Sequence, residues 1–488
     1  MRLCDLVDEE VSLVGDGAVA VRQVTCDSRA VQPGALFAAL AGWQRDGFAF
    51  VPEALARGAV ALLGDERIRA YGGRVPVVVA PDPRRAYARM CARFFPQQPP
   101  VVVAVTGTNG KSSTVSFLAA LWRACGIRAA SLGTLGVDPP LEGPIPSLTS
   151  PDAALLHELL AQLARSSFTH IALEASSHGL DQRRLDGLRL QAAAWTQFGR
   201  DHLDYHRDLD SYFAAKARLF TDLLPADGLA VVNADSRRAA EITALCARRG
   251  LRLLRYGRGE VELRMDRVRA HPEGLELDLC WEGNPLRVKL GLYGPFQASN
   301  LAAALLLARA TAGLEREALL AALSGLRPPA GRMERIGRSG RGVWLFVDYA
   351  HTPDALDHAL GALRAHFPRA RIGVVFGCGG ERDAGKRPLM GRVARRRADL
   401  VVVTDDNPRG EDPASIRRAV LRGTGAAGLE IGDRRAAICA AAARLGEGDV
   451  LLVAGKGHER GQLVGDRLLP FDDREVLREL CGGAEVMP

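Results

Sequence analysis

Short, continuous apolar runs alternate along this chain with longer stretches in which leucine and alanine return every three or four positions. Val101-Val102-Val103-Ala104-Val105 reads as a buried strand, a glycine loop follows, and residues 112–124 carry helical spacing, giving a strand, loop, helix unit. Further apolar strands are predicted at 168–173 and 229–233, alternating with helical stretches such as 210–223. Beyond residue 331 the rhythm recurs four times, with strands at 343–347, 371–376, 400–404 and 450–454. Strands alternating with helices predict an α/β fold. Residues 286–290 instead alternate apolar and polar, which puts Lys289 on the solvent face of a strand.

Proline-rich breaks at 95–100 and 326–331 suggest three domains, 1–98, 99–330 and 331–488. A chain of 488 residues exceeds what one core usually supports, and a hydrophobic content of 47% supplies several. The first ten residues reach acidic positions at once, and no apolar run approaches the roughly 18 residues of a membrane span, so a cytoplasmic protein is expected. Nine cysteines are scattered without paired spacing, which indicates neither a zinc site nor a disulfide framework. A net charge of +7 is spread along the chain with no basic run interleaved with aromatics. That pattern argues against a nucleic-acid partner and suits an acidic small substrate such as a nucleotide.

Of 64 basic residues only five are lysine: Lys111, Lys216, Lys289, Lys386 and Lys456. Lysine is a compact charge that can lose its proton when buried, whereas guanidinium stays charged. Lys111 closes Gly107-Thr108-Asn109-Gly110-Lys111-Ser112-Ser113 between strand and helix, where backbone amides and a helix start favour anions. There Lys111 can neutralise phosphate and Ser112 can bind Mg²⁺. The loop is a variant, since Val105 holds the place of the usual first glycine. Glu174 ends an apolar strand where a carboxylate could ligate the same Mg²⁺. Arg200-Asp201-His202-Leu203-Asp204-Tyr205-His206 then clusters imidazoles and carboxylates ahead of Lys216, and from spacing alone His202 reads either as a ligand or as a surface histidine. In the last domain all four strands lead into polar, glycine- or proline-marked loops, the strand ends at which open α/β sheets bind ligands.

Taken in order, Gly107 to Ser112, Glu174-Ala175-Ser176-Ser177-His178, the 200–206 segment, Ala215-Lys216, Gly331-Arg332-Met333-Glu334 and Asp348-Tyr349-Ala350-His351-Thr352-Pro353 resemble the Mur ligases of peptidoglycan synthesis over essentially the whole chain. The resemblance implies an N-terminal UDP-binding module, a central P-loop-type ATPase domain with a parallel sheet, and a C-terminal Rossmann-like domain. It implies ATP and two Mg²⁺ ions as cofactors, with Lys216 carbamylated by CO₂ and sharing a metal with His202 and Glu174. Asn300, Arg332, Asp348 and His351 match the family's ATP contacts, the last three from the C-terminal domain, so that domain closure would precede chemistry. Contacts to the nucleotide-linked substrate carry over to Ser28, Gln44, Thr149, Ser150, Ser176, Gln182 and Arg184. Trp43 and Ser150 depart from the histidine and threonine usual in the family.

The implied reaction joins an amino acid to the D-glutamate γ-carboxylate of UDP-N-acetylmuramoyl-L-Ala-D-Glu through an acyl phosphate. Asp406-Asn407-Pro408-Arg409 goes, in this family, with meso-diaminopimelate rather than lysine, because a guanidinium grips the extra carboxylate bidentately. Arg382, Gly455 and Glu459 match the remaining contacts to that zwitterion, while Glu381 replaces a common asparagine. Readings kept beside this one are the same ligase adding L-lysine, a relative acting on folate-like substrates, and a non-catalytic P-loop scaffold. A monomer without a nucleic-acid partner is the expectation.

Overall fold

The computed structural model describes residues 1–42, 45–142 and 148–482. Its mixed α/β character is the one expected, and the contacts fall into two units: residues 1–256 with 303–319, and 257–302 with the chain from 320 onward.

The first unit opens with strands β1 (Ser12–Val14), β2 (Gln23–Thr25), β3 (Ala35–Ala38), β4 (Ala59–Gly64) and β5 (Val77–Val79), with helices α1 (Val51–Ala56) and α2 (Pro83–Phe94). Their order is β1-β5-β4-β3-β2, parallel except where β1 meets β5. Successive side chains of a strand face opposite ways. Leu36 and Ala38 therefore pack with Tyr87 and Met90 of α2, while Phe37 enters the core on the other face with Val51 and Ile68.

A second sheet follows in the same unit. Its elements are β6 (Val101–Thr106), α3 (Lys111–Ala124), β7 (Ala129–Gly133), β8 (Gly136–Asp138), α4 (Ala153–Arg165), β9 (His170–Glu174), α5 (Ser177–Asp181), β10 (Ala192–Trp195), α6 (Leu209–Arg218), β11 (Leu229–Asn233), α7 (Ala239–Arg248) and β12 (Arg252–Gly257). Strand order is β12-β11-β10-β6-β9-β7-β8, with only β8 antiparallel among the pairs β6–β9, β7–β9, β10–β6, β10–β11, β11–β12 and β7–β8. Parallel strands covered on both faces become nearly continuous apolar runs, and β6, β10 and β11 are buried almost throughout. The helix expected at 210–223 ends at Arg218 and continues as one wider turn, Leu219–Leu223.

The second unit begins with an antiparallel meander, β13 (Leu263–His271), β14 (Gly274–Trp281) and β15 (Asn284–Leu290). Lys289 faces solvent there, as its alternating neighbourhood predicts, with its side chain 81% exposed. Helix α8 (Phe296–Ala312) and α9 (Arg316–Ala322) follow, their residues 303–319 belonging to the first unit, and the chain of the second unit continues with β16 (Glu334–Arg338), β17 (Trp344–Asp348), α10 (Pro353–His366), β18 (Ile372–Phe376), α11 (Lys386–Arg397), β19 (Leu400–Val403), α12 (Pro413–Thr424), β20 (Gly428–Glu430), α13 (Arg434–Ala443), β21 (Val450–Ala454), the hairpin β22 (Gly461–Val464) and β23 (Arg467–Pro470), and α14 (Asp473–Leu480). The sheet runs β16-β17-β21-β18-β19-β20, parallel apart from β16. Buried cores lie on both faces, one around Phe346, Leu360, Val374 and Leu452, the other around Leu345, Val375, Ile438 and Leu451. Its central parallel strands and flanking helices make it the Rossmann-like domain expected. Among the described residues no helix is long and apolar enough to cross a membrane.

Candidate active site

Strand β6 delivers the chain into a tight loop at its carboxyl end. Gly107 has φ +154° and Gly110 φ +92°, and a Cβ on Gly107 would run into the Thr196 hydroxyl. That hydroxyl lies 2.7 Å from the Asn109 carbonyl and 3.1 Å from that of Thr106, bracing the loop against β10. Thr108 donates its backbone N–H to Gln197 O at 2.6 Å, and its hydroxyl accepts from Gly199 N at 3.0 Å. Ser112 and Ser113 are buried in the first turn of α3, where the helix dipole favours an anion. Lys111 Nζ donates to the carbonyls of Gly107 and Thr108 at 3.0 and 2.9 Å, so its charge sits on the loop itself.

Lys216 reaches the same place from α6. Only 1% exposed, it donates to Gly107 O at 2.8 Å and lies 4.7 Å from the Tyr212 ring centre. Burial, with the Lys111 charge second, pushes its pKa well below the ordinary lysine value. The Tyr212 hydroxyl is 3.1 Å from that of Thr108. Tyr212, Thr196 and Gln197 thus complete the loop, and sequence reasoning missed all three. Only Tyr212 carried a signal, standing four residues before Lys216 on one helix face.

Glu174 and His202 hold other partners. The Glu174 carboxylate, 2% exposed at the end of β9, accepts from Thr134 N at 2.9 Å and Thr134 Oγ1 at 3.2 Å. His202 has φ +52°, an ion-pair contact with Asp201 at 3.4 Å and a ring contact with His178 at 4.8 Å between centres. Burial lowers the pKa of His202 and takes that of His178 down to about 4, the His202 charge adding to the latter. Among the described residues no group of three or more His, Cys, Asp or Glu side chains is arranged to hold a metal ion. Ser112, Glu174, His202 and Lys216 therefore line the neighbourhood of the loop without forming a ready cluster.

Around Glu174 the expected substrate residues join one polar network. Ser150 Oγ donates to Glu174 O at 2.9 Å and accepts from Ser176 N at 3.0 Å, while Thr149 Oγ1 lies 3.0 Å from Thr134 Oγ1. Arg184 donates to Ser150 O at 2.7 Å and to Gln182 Oε1 at 2.6 Å. Gln182 and Arg184 also line a cavity of about 320 Å³ with Cys26, Arg84, Tyr87 and Asp152. Ser28, elsewhere in the N-terminal module, donates to Glu53 Oε2 at 3.0 Å. Gln44 lies outside the described residues.

In the second unit Asp348 ends β17 and orders two segments, accepting from Ala350 N at 2.8 Å and Met333 N at 2.7 Å. Arg332, one residue earlier, places its guanidinium 4.6 Å from the Tyr349 ring centre. His351 Nδ1 contacts Tyr349 O at 2.9 Å, and Asn300 donates to Gln297 at 2.9 Å within α8.

The loops after β18, β19 and β21 converge. Asn407 Nδ2 donates to Glu459 Oε2 at 2.9 Å, and its Oδ1 accepts from Lys456 Nζ at 2.8 Å and Leu463 N at 2.9 Å. Arg409, at φ +52°, donates from Nη1 to Gly380 O at 2.8 Å, and its backbone N–H bonds Leu463 O at 3.0 Å. Asp406 is 8% exposed beside Gly455, whose φ of +113° needs glycine and where a Cβ would sit 2.7 Å from the Asp406 carboxylate. Pro408 is buried and Arg382 exposed on the loop after β18. Arg409, Asn407, Asp406, Gly455 and Glu459 are therefore brought together.

Models of three protein families match the chain: the "Mur ligase family, catalytic domain" at residues 20–95, the "Mur ligase middle domain" at 105–308, and the "Mur ligase, glutamate ligase domain" at 331–457. The three matches follow one another from residue 20 to 457, and the chain belongs to the Mur ligase family. A relative from Bradyrhizobium diazoefficiens named UDP-N-acetylmuramoyl-L-alanyl-D-glutamate--2,6-diaminopimelate ligase is 46% identical, covering 98% of each chain. A protein of the same name from Caulobacter vibrioides is 49% identical over 94% of this chain and 95% of its own. A solved structure of a ligase with that name matches with a TM-score of 0.70 and 33% identity over 99% of both chains. A Mycobacterium tuberculosis folylpolyglutamate synthase, at 21% identity and TM-score 0.62, shares the fold.

Proposed function

We propose that this chain is an ATP-dependent ligase that joins meso-diaminopimelate to the D-glutamate of UDP-N-acetylmuramoyl-L-Ala-D-Glu, acting as a cytoplasmic monomer, with residues 1–98, 99–330 and 331–488 as its domains. The observation that carries the reading is the cluster after β18, β19 and β21. Arg409 offers a guanidinium for a distal carboxylate, and Glu459, bonded to Asn407, offers an anion for an ammonium. A diamino acid with two carboxylates needs both. L-lysine lacks the second carboxylate and would leave the guanidinium without its partner.

Chemistry proceeds by positioning and charge neutralisation. The substrate γ-carboxylate attacks the ATP γ-phosphoryl group, ADP leaves, and the incoming amine displaces phosphate from the acyl phosphate to form the amide. Gly107 to Ser113 would cradle the phosphates, with Lys111 released from its loop carbonyls onto them; Arg332 would add positive charge, and Asn300, Asp348 and His351 would hold the nucleotide. Thr149, Ser150, Ser176, Gln182 and Arg184 would orient the muramoyl dipeptide, Ser28 and Gln44 its uridine end. Mg²⁺, bound by Ser112 at one position and by Glu174, His202 and Lys216 at another, would supply further neutralisation of phosphoryl charge. Lys216 suits carbamylation because burial favours its neutral amine, the form that adds CO₂. The test is to supply substrate labelled with ¹⁸O in the γ-carboxylate together with ATP, Mg²⁺ and meso-diaminopimelate. A tripeptide product with one ¹⁸O per released phosphate is expected; no tripeptide, or unlabelled phosphate, would overturn the mechanism.

A further inference from the structure

Lys456 is wholly buried, yet none of the contacts expected of the amino-acid pocket involves it. It stands between Gly455 and Gly457, both left-handed at φ +113° and +56°, and a Cβ on Gly457 would lie 2.8 Å from that of Tyr349. The turn is thus folded tightly inward, carrying the lysine under the pocket. Its ammonium donates to Asn407 Oδ1 at 2.8 Å and lies 3.3 Å from Glu459 Oε2. Asn407 Nδ2 in turn donates to that same Glu459 oxygen at 2.9 Å. The three side chains close a triangle in which the cation decides two things. Together with Leu463 N, which donates to the same Oδ1 at 2.9 Å, it fixes which way the Asn407 amide faces, since only the oxygen can accept from an ammonium. It also holds the Glu459 carboxylate at one end, leaving the other oxygen to a ligand ammonium. A chain that writes nearly all its positive charge as arginine has lysine here, a compact point charge on Asn407 and Glu459 rather than a planar fork of five donors.

We infer that Lys456 is a positioning residue for amino-acid recognition, setting the geometry of Asn407 and Glu459 without touching the reacting atoms; the inference rests on the diaminopimelate reading above. Steady-state kinetics on Lys456→Met should show a KM for meso-diaminopimelate raised at least about 30-fold, with KM for ATP and for the UDP-linked substrate within about twofold of wild type. In a Glu459→Gln background the same change should cost about fivefold or less, because the carboxylate it holds is gone. A defect confined to folding would instead move all three KM values or the melting temperature, and would be equal in both backgrounds. Lys456→Gln, which keeps a donor toward Asn407 without the charge, guards against misfolding of the methionine variant and should fall between it and wild type. An unchanged diaminopimelate KM in both variants, or an equal penalty with and without Glu459, overturns the role. Failure of the wild-type protein to use diaminopimelate at all would overturn the underlying reading, and is seen before any variant is made.

Discussion

Gly107→Ala tests the proposed phosphate loop at its tightest point. The backbone there sits at φ +154°, and an added Cβ would meet the Thr196 hydroxyl with Gln197 O only 3.1 Å away. Holding a non-glycine residue in such a region costs on the order of 1–3 kcal/mol. Thr196 must also move, straining its contacts with Asn109 O at 2.7 Å and Thr106 O at 3.1 Å, roughly another 1 kcal/mol for each bond lost. The loop as seen is therefore destabilised by about 3–5 kcal/mol, and the chain escapes by reshaping it. If that conformation is the one that binds phosphate, ATP affinity falls at least about 100-fold, since each 1.4 kcal/mol is a factor of ten. Calorimetric titration with a non-hydrolysable ATP analogue and Mg²⁺ reads the affinity, and thermal unfolding reads the stability. A dissociation constant within threefold of wild type would refute the reasoning about this loop, whatever the melting temperature did.

Arg409→Ala should raise the KM for diaminopimelate by roughly two orders of magnitude, as expected for losing a charged hydrogen-bond partner, while nucleotide binding measured by titration stays within threefold. Arg434→Met removes one member of an ion pair that is 0% exposed on both sides, where Arg434 also donates to Ala454 O at 3.0 Å. Leaving Asp473 buried alone should cost about 3–5 kcal/mol in urea unfolding, and adding Asp473→Leu should recover most of it. His157, 2% exposed on α4, has its pKa taken by burial from 6.5 down to about 4. The unfolded chain therefore binds the extra proton first. Stability from this group is complete above pH 6.5 and is lost as pH falls toward 4, by about 3 kcal/mol in all, so His157→Gln should flatten that part of the stability curve.

The parallel strands were legible because burial on both faces writes them as unbroken apolar runs, as in 101–105, 229–233 and 450–454. β10 was not, since Ala192-Ala193-Ala194-Trp195 has no β-branched residue, and only its place between β6 and β11 makes it a strand. Much of the meander was also missed, because charged residues such as Arg267 and Arg269 on its open face dilute the alternation. In the candidate site the glycines and lysines announced themselves through residue type. What supports them did not: Thr196 under the proposed phosphate loop, Thr134 on Glu174 and the orientation of Asn407 depend on neighbours between 40 and 87 residues distant in sequence, and no local pattern encodes such pairings.

The most direct measurement is phosphate release from ATP in the presence of UDP-N-acetylmuramoyl-L-Ala-D-Glu and Mg²⁺, with meso-diaminopimelate, L-lysine or no amino acid added, and product mass determined in each case. Diaminopimelate-dependent release with a tripeptide product, and kcat/KM for lysine lower by at least about a thousandfold, is the predicted result. Comparable turnover with lysine would contradict the assignment of Arg409 as the selecting residue, and release that no amino acid stimulates would contradict the ligase reading itself.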